Sequence, residues 1–469
     1  MQRTVECACR DDDKMDLIKW ISRRRGYTMT NPIVTEPVNQ RATKHAIIVS
    51  SDGHAMPRMA DYREYLPADI RRDFDDFLSA HAENLSDLGI GDPRYMASRL
   101  DPEVLEDWVR EVVEPGRLDG LWDPNRRLEF LNSEGIAAEV LFPDFGTAFE
   151  LSPRVERALG YSRTPEQAVA AGKAHNRWLA EYCRCTPTRF AGLAIVSFDD
   201  VDAAVEEIHW AREAGLKGIV LPTFDEAAPL YHPRNDPIWA ALEDLELPAN
   251  SHAVTSSTTR RQKGYGDAPH PACGQTMMSA ELFFGTRQIL AHLIWGGVLE
   301  RHPRLKIVLT EQGSGWVPST LAGMDYSYSG SYLQRSLREV IRIKPSEYFA
   351  RQIYLGSSIF SREEIELRQD IGLDKMMLGM DYPHHEGTWA AGPGTLAYLR
   401  ATLGSAGVPA GEAAQLLGET AIKVFGFDRR ALDGLGREIG PDMAEVLRPP
   451  TEDLYPRGDV KKPIGVGFQ

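Results

Sequence analysis

Short apolar runs alternate along this chain with longer amphipathic stretches, a pattern that predicts strands separated by helices. The first run, Ala46-Ile47-Ile48-Val49, predicts a strand over 46–51. Others follow at Ala138–Phe142, Phe190–Val196, Gly218–Leu221, Pro248–Ser251, Leu305–Thr310, Tyr354-Leu355 and Met376–Gly379. Continuous apolar runs are what parallel strands buried on both faces require. Helical patterns fill the intervals at Ala168–Tyr182, Val201–Ala214, Pro237–Leu245 and Ala280–Arg301. Strands and helices in this order describe an α/β fold, a (β/α)8 TIM barrel. A doubly wound sheet would need the chain divided where no linker composition occurs.

One long insertion interrupts the alternation. Residues 55–132 carry amphipathic stretches at Pro67–Phe74 and Pro102–Val109, read as helices with proline in the first turn. Inserted directly after the first strand, this segment is expected over the barrel mouth as a lid and substrate wall. Residues 1–43 are polar and aperiodic and are read as an extension or oligomer contact; the barrel is assigned to 44–428. Residues 429–469, rich in proline, glycine and charge, are expected to wrap the barrel or a neighbouring subunit, so a homo-oligomer is expected.

A chain of 469 residues, 42% of them hydrophobic, can bury one elaborated barrel. The net charge of −15 with no basic stripe argues against a nucleic-acid partner. No apolar run approaches the ~20 residues that span a bilayer, and the amino terminus lacks a signal-peptide core. A cytoplasmic protein is expected. The five cysteines are too few for a disulfide framework, and Cys7/Cys9 and Cys183/Cys185 lack the second half of a zinc motif.

The candidate chemistry sits just beyond the predicted strands. Asp52 and His54 follow the first, His252 the fifth, Glu311 the sixth, and Asp381, His384 and His385 the eighth. Side chains that hold a divalent ion must converge from distant sequence, and the carboxyl ends of barrel strands gather them. Asp52 and His54, two positions apart, face one side if strand geometry persists. His384 and His385, being adjacent, diverge, so one of them is expected outside the inner ligand shell. Glu311 admits a second role, as a general base. The other histidines read differently: His175 in a helix as a packed side chain, His292 in a helix as a packed side chain or a support behind the ligands, and His270 on a loop as a surface residue or a substrate contact. Trp316 and Trp389 near the site loops are packing residues or pocket walls.

Several motifs resemble one family. Ser51-Asp52-Gly53-His54, Glu134-Gly135-Ile136, Asn176-Arg177-Trp178-Leu179, the stretch Gly296–Pro303 and above all Gly379-Met380-Asp381-Tyr382-Pro383-His384 are similar to the amidohydrolase-related family, in the branch of aminocarboxymuconate-semialdehyde and resorcylate decarboxylases. The likeness spans residues 45–428 and implies a barrel with a divalent metal held by Asp52, His54, His252 and Asp381. Two departures stand out. The first-strand motif opens with Asp52, where hydrolase-like members often have histidine. Glu311 stands where the decarboxylases carry a helping histidine. Carboxylates harden the site and favour iron or manganese over zinc. The chain also resembles a smaller subgroup of dinuclear nonheme monooxygenases built on the same barrel. Two functions are therefore carried forward. The first is a dinuclear iron or iron–manganese monooxygenase that uses dioxygen on a small molecule, with Glu311 and either His384 or His385 holding the second ion, His384 being the assigned ligand and Glu311 and His385 the assigned catalytic residues. The alternative is a non-oxidative decarboxylase or hydrolase, with zinc admissible.

Overall fold

The computed structural model describes residues 44–452, apart from 98–99, 145, 152, 223–228, 253–272, 274–276, 278–283, 331–334 and 390–393. The expected extension at 1–43 and the loop histidine His270 lie outside the described residues. Eight strands run in sequence order: β1 Ile48–Ser50, β2 Ile136–Leu141, β3 Phe190–Ile195, β4 Gly218–Val220, β5 Ala249–Ser251, β6 Ile307–Thr310, β7 Ile353–Gly356 and β8 Met376–Met377. Every ladder from β1 to β8 is parallel, for example Ile307↔Ile353 through Thr310↔Gly356 between β6 and β7. Ser51 N donates to Leu378 O at 2.7 Å, bringing the end of β8 back to β1. The fold is a TIM-like (β/α)8 barrel, and the alternation that predicts it holds at every strand.

Local chemistry explains the long helices. Thr164 and Gln167 form a reciprocal capping box at the start of Pro165–Arg184. Asp200 accepts from Ala203 N to start Val201–Glu213, and Asp123 caps Pro124–Ser133 with proline at its first position. Ile208, Ile238, Trp239, Leu242, Leu290 and Leu293 bury the helix faces against the barrel.

The insertion departs from the sequence reading in one respect. Pro67–Ile70 is a turn, and the helix runs from Arg71 to His81. Arg71 donates to Leu66 O and Glu64 O, both at 3.0 Å, so its side chain fixes the turn that proline was expected to open as helix. The Pro102–Trp108 helix forms as predicted, with Asp101 in the capping position. Met56 N donates to Leu121 O at 3.0 Å, Tyr382 Oη donates to Arg117 O at 2.7 Å, and Trp108 meets Trp389 edge-on at 5.9 Å. These contacts bind the insertion to loops at the carboxyl ends of β1 and β8.

The carboxyl-terminal segment is more structured than its composition implies. Asp428 accepts from Arg430 N and Ala431 N, starting a helix over Arg429–Glu438 that buries Leu432 and Gly436. Ala46 N donates to Pro441 O and Met443 N to Lys44 O, both at 2.9 Å, so residues 429–446 pack beside the entry to β1. Residues 453–469 lie outside the described residues.

One buried histidine makes acid stability predictable. His175 pairs with Tyr62 Oη at 3.0 Å, joining the insertion to the Pro165–Arg184 helix, and burial pulls its imidazole down to about 3. A base whose folded pKa is lowered stays neutral while the unfolded chain takes up a proton below its ordinary value near 6.5. Stability contributed by this group is therefore full above about 6.5 and falls as the pH drops towards about 3. At pH 5 the loss amounts to about 2 kcal/mol. Urea midpoints at pH 7 and pH 5 should fall more for the wild type than for His175→Gln, which cannot titrate. Equal falls would remove His175 from the account.

Candidate metal centre

β1, β5, β6 and β8 each end just before a side chain aimed into the barrel mouth. Asp52, His54, His252, Glu311, Asp381 and His384 are all buried. Three groups of their donor atoms, each gathered within 4.8 Å, can be drawn: Asp52–His54–His252, His54–Asp144–His384, and Glu311–Asp381–His384–Glu386. Sharp turns direct them. Glu311, Ser358 and Asp381 have φ of 58°, 48° and 57°, a region that costs non-glycine residues energy and recurs at functional sites. Asp381 N donates to Asp52 O at 2.9 Å, and Met380 N donates to Ser50 Oγ at 3.0 Å, locking the loop after β8 to the loop after β1.

The imidazoles are oriented as metal ligands need. His54 Nδ1 donates to Pro143 O at 3.0 Å, leaving the Nε2 lone pair towards the carboxylates. His252 Nδ1 lies 3.2 Å from Glu311 Oε2, and its Nε2 lies 3.4 Å from Asp52 Oδ1. His54 Nε2 is 3.3 Å from Asp381 Oδ1 and 3.8 Å from Asp52 Oδ1; His384 Nδ1 is 3.0 Å from Asp381 Oδ1. With metal bonds near ~2.1 Å, neighbouring donors on an octahedron or tetrahedron stand about 3.0–3.5 Å apart. Asp52, His54 and His252 form one donor group that can hold a divalent ion, while Asp381, grouped with Glu311, His384 and Glu386, approaches it at the 3.3 Å contact with His54 Nε2. The hydrogen-bond inventory fits too: Asp52 Oδ1, His54 Nε2 and both Asp381 carboxylate oxygens are buried without a well-directed hydrogen bond. Buried polar atoms rarely stay so unless something else satisfies them.

Burial pushes the Asp52 carboxyl up, but His252, His54 and the Ser358 hydroxyl outweigh it and hold Asp52 below the usual carboxylate range. Burial, reinforced by the neighbouring Asp381 carboxylate, lifts Glu311 well above that range. His252 is lowered by burial, whereas His54 and His384 are raised because Asp381 and Asp144 overcome the same cost.

Among the described residues, three participants go beyond those singled out in the sequence. Asp144 follows β2, with its Oδ1 3.8 Å from His384 Nε2 and its Oδ2 accepting from Ile90 N at 3.4 Å. Ser358, after β7, donates to Asp52 Oδ2. Glu386 belongs to the third, carboxylate-rich group. The rule of a polar residue directly after an apolar run would have reached Asp144, since it follows Leu141-Phe142-Pro143. His385 stands apart from His384: its Nδ1 is 2.5 Å from Glu386 Oε2, it is partly exposed, and it belongs to none of the three donor groups. Trp389 packs against Trp108, Phe130 and Tyr382, while the Trp316 indole donates to Gln312 O at 3.1 Å. His292 packs edge-on against Tyr231. Cys183 is buried and Cys185 exposed, both as free thiols. No described helix is long and apolar enough to cross a membrane.

The amidohydrolase family model matches residues 107–427. Over 243 residues the chain is 28% identical to gamma-resorcylate decarboxylase of Rhodococcus jostii, covering 48% of this chain and 70% of the relative. Over 265 residues it is 25% identical to the 2-amino-3-carboxymuconate-6-semialdehyde decarboxylase of Dictyostelium discoideum, covering 56% and 67%. Its fold is similar to that of 5-carboxyvanillate decarboxylase from Novosphingobium aromaticivorans, solved with manganese and 4-hydroxy-3-methoxy-5-nitrobenzoic acid. That match has a TM-score of 0.56 at 21% identity and covers 81% of this chain and 96% of the other.

Proposed function

Since the chain belongs to the amidohydrolase family, we propose that it is a metal-dependent, non-oxidative decarboxylase of a small aromatic or conjugated carboxylic acid. The observation that supports this reading is the buried Asp52–His54–His252 donor group, with the His54 ring oriented by Pro143 O and Asp381 Oδ1 3.3 Å from His54 Nε2, in a chain whose curated relatives are decarboxylases. Manganese, the ion in the structurally similar carboxyvanillate enzyme, suits this carboxylate-rich set.

A divalent ion held there supplies Lewis-acid polarisation of substrate oxygens. The protein supplies the rest. His54 keeps its proton on Nδ1 against Pro143 O, so Nε2 stays a fixed acceptor. Loss of carbon dioxide breaks one C–C bond and leaves its electron pair on the substrate carbon, which must take up a proton. Glu311, whose carboxyl is held well above the usual range by burial and Asp381, is biased towards its protonated form and faces the same mouth. It is the group proposed to deliver that proton. Phe142, whose ring centre lies 4.7 Å from that of His252, offers an apolar wall, and the insertion limits the entry of water.

A second reading rests on the Glu311–Asp381–His384–Glu386 group, which has the donors for a second ion. Two irons, or iron with manganese, would suit dioxygen-dependent hydroxylation. The two readings separate in one assay. Protein stripped with a chelator and reloaded with manganese should release carbon dioxide from a panel that includes 2,6-dihydroxybenzoate and 5-carboxyvanillate, without consuming oxygen. Oxygen uptake with a hydroxylated product and no decarboxylation would reverse the choice.

A further inference from the structure

We infer that Arg127 and Glu139 are positioning residues, a buried ion pair that sets the spacing between the metal-holding loops after β1 and β8. The inference rests on the assignment of Asp52, His54, His252 and Asp381 as the ion's ligands. Arg127 lies on the Pro124–Ser133 helix and Glu139 in the middle of β2, and both are fully buried. Neither belongs to the three donor groups.

Their contacts reach both loops at once. Arg127 Nε donates to Glu139 Oε2 at 2.7 Å, and Arg127 Nη1 donates to His54 O at 3.0 Å. The same guanidinium stacks over the Tyr382 ring, with Cζ 3.7 Å from its centroid, next to Asp381. The pair also presses against the residue between the two β1 ligands. A β-carbon at Gly53 would overlap Glu139 Oε1 and stand 2.9 Å from Arg127 Nη2. His54 N donates to Tyr382 O at 2.7 Å, so the two loops also touch directly beside the pair.

A buried ion pair contributes little to stability, because desolvating both charges offsets much of their attraction. The pair nonetheless makes a separate contact to the backbone of one ligand and to the neighbour of another. A planar guanidinium can fork to a carboxylate and a carbonyl while stacking on a ring, and an ammonium cannot do all three. Removing such support behind metal ligands typically weakens binding by about 10–100-fold.

The test compares manganese affinity, read from the electron paramagnetic resonance signal of free Mn(II), with the urea midpoint of the metal-free protein. The double variant Arg127→Met with Glu139→Leu should keep a midpoint near wild type and lose about 10–100-fold in affinity. Arg127→Lys, which keeps the buried charge pair, should lose at least ~10-fold and decides the matter if the double variant fails to fold. Wild-type affinity in either folded variant would overturn the inference alone. No manganese uptake by the wild-type chain would overturn the metal assignment, and the inference with it.

Discussion

Replacing Asp381 by alanine should leave the protein folded and without bound metal. Asp381 is fully buried at the end of β8, with both carboxylate oxygens lacking a well-directed hydrogen bond. Its Oδ1 stands 3.3 Å from His54 Nε2 and 3.0 Å from His384 Nδ1, between histidines of different donor groups. The substitution removes a charged donor and takes away the carboxylate that lies between the His54 and His384 imidazoles. Decarboxylation should drop to background, because a residual site of three donors binds the ion too weakly. Elemental analysis of purified Asp381→Ala, alongside its thermal unfolding curve, provides the check. A full complement of metal in a folded Asp381→Ala protein would remove this residue from the ligand set.

Replacing Glu311 by glutamine should separate proton delivery from metal binding. The amide has nearly the shape of the acid and can still meet His252 Nδ1, which lies 3.2 Å from Glu311 Oε2. It cannot donate an acidic proton to carbon. In the decarboxylase account the ion stays and kcat falls by about 10²–10⁴-fold, the usual weight of a general acid. The pH profile gives a second reading of the same group. Glu311 acts in its protonated form, so activity should be lost as pH rises through its raised pKa, and Glu311→Gln should lack that limb. If Glu311→Gln instead loses one of two ions, the site is dinuclear and the hydroxylase reading gains.

The barrel was legible because its strands are buried on both faces and so read as apolar runs. Leu305–Thr310 and Phe190–Val196 lie within a residue or two of the strands observed. The last strand is only two residues long, yet Met376-Met377 marked it because Asp381 and two histidines follow. The same logic located Asp52 and His54, whose spacing places both on one side of a strand end. Ser358 was hidden because a serine is unremarkable in sequence, and its contact with Asp52 depends on a left-handed turn after β7. Glu139 was hidden because a lone charge inside Ala138-Glu139-Val140 looks like a solvent-facing strand position, whereas it is paired with Arg127 inside the fold. The helix at 429–438 was hidden because composition dominated the reading, although Asp428 is an ordinary capping residue. Residue types alone left the number of ions open, since that depends on how Asp381 is shared between donor sets.

The most direct test of the account follows one carboxyl group under nitrogen. Manganese-loaded protein is given an aromatic acid labelled with carbon-13 at its carboxyl, in heavy water, with oxygen excluded. The expected result is labelled carbon dioxide and a product carrying one deuterium at the carbon that held the carboxyl group. No label in carbon dioxide under nitrogen, followed by oxygen consumption and a hydroxylated product once air is admitted, would contradict the decarboxylase assignment.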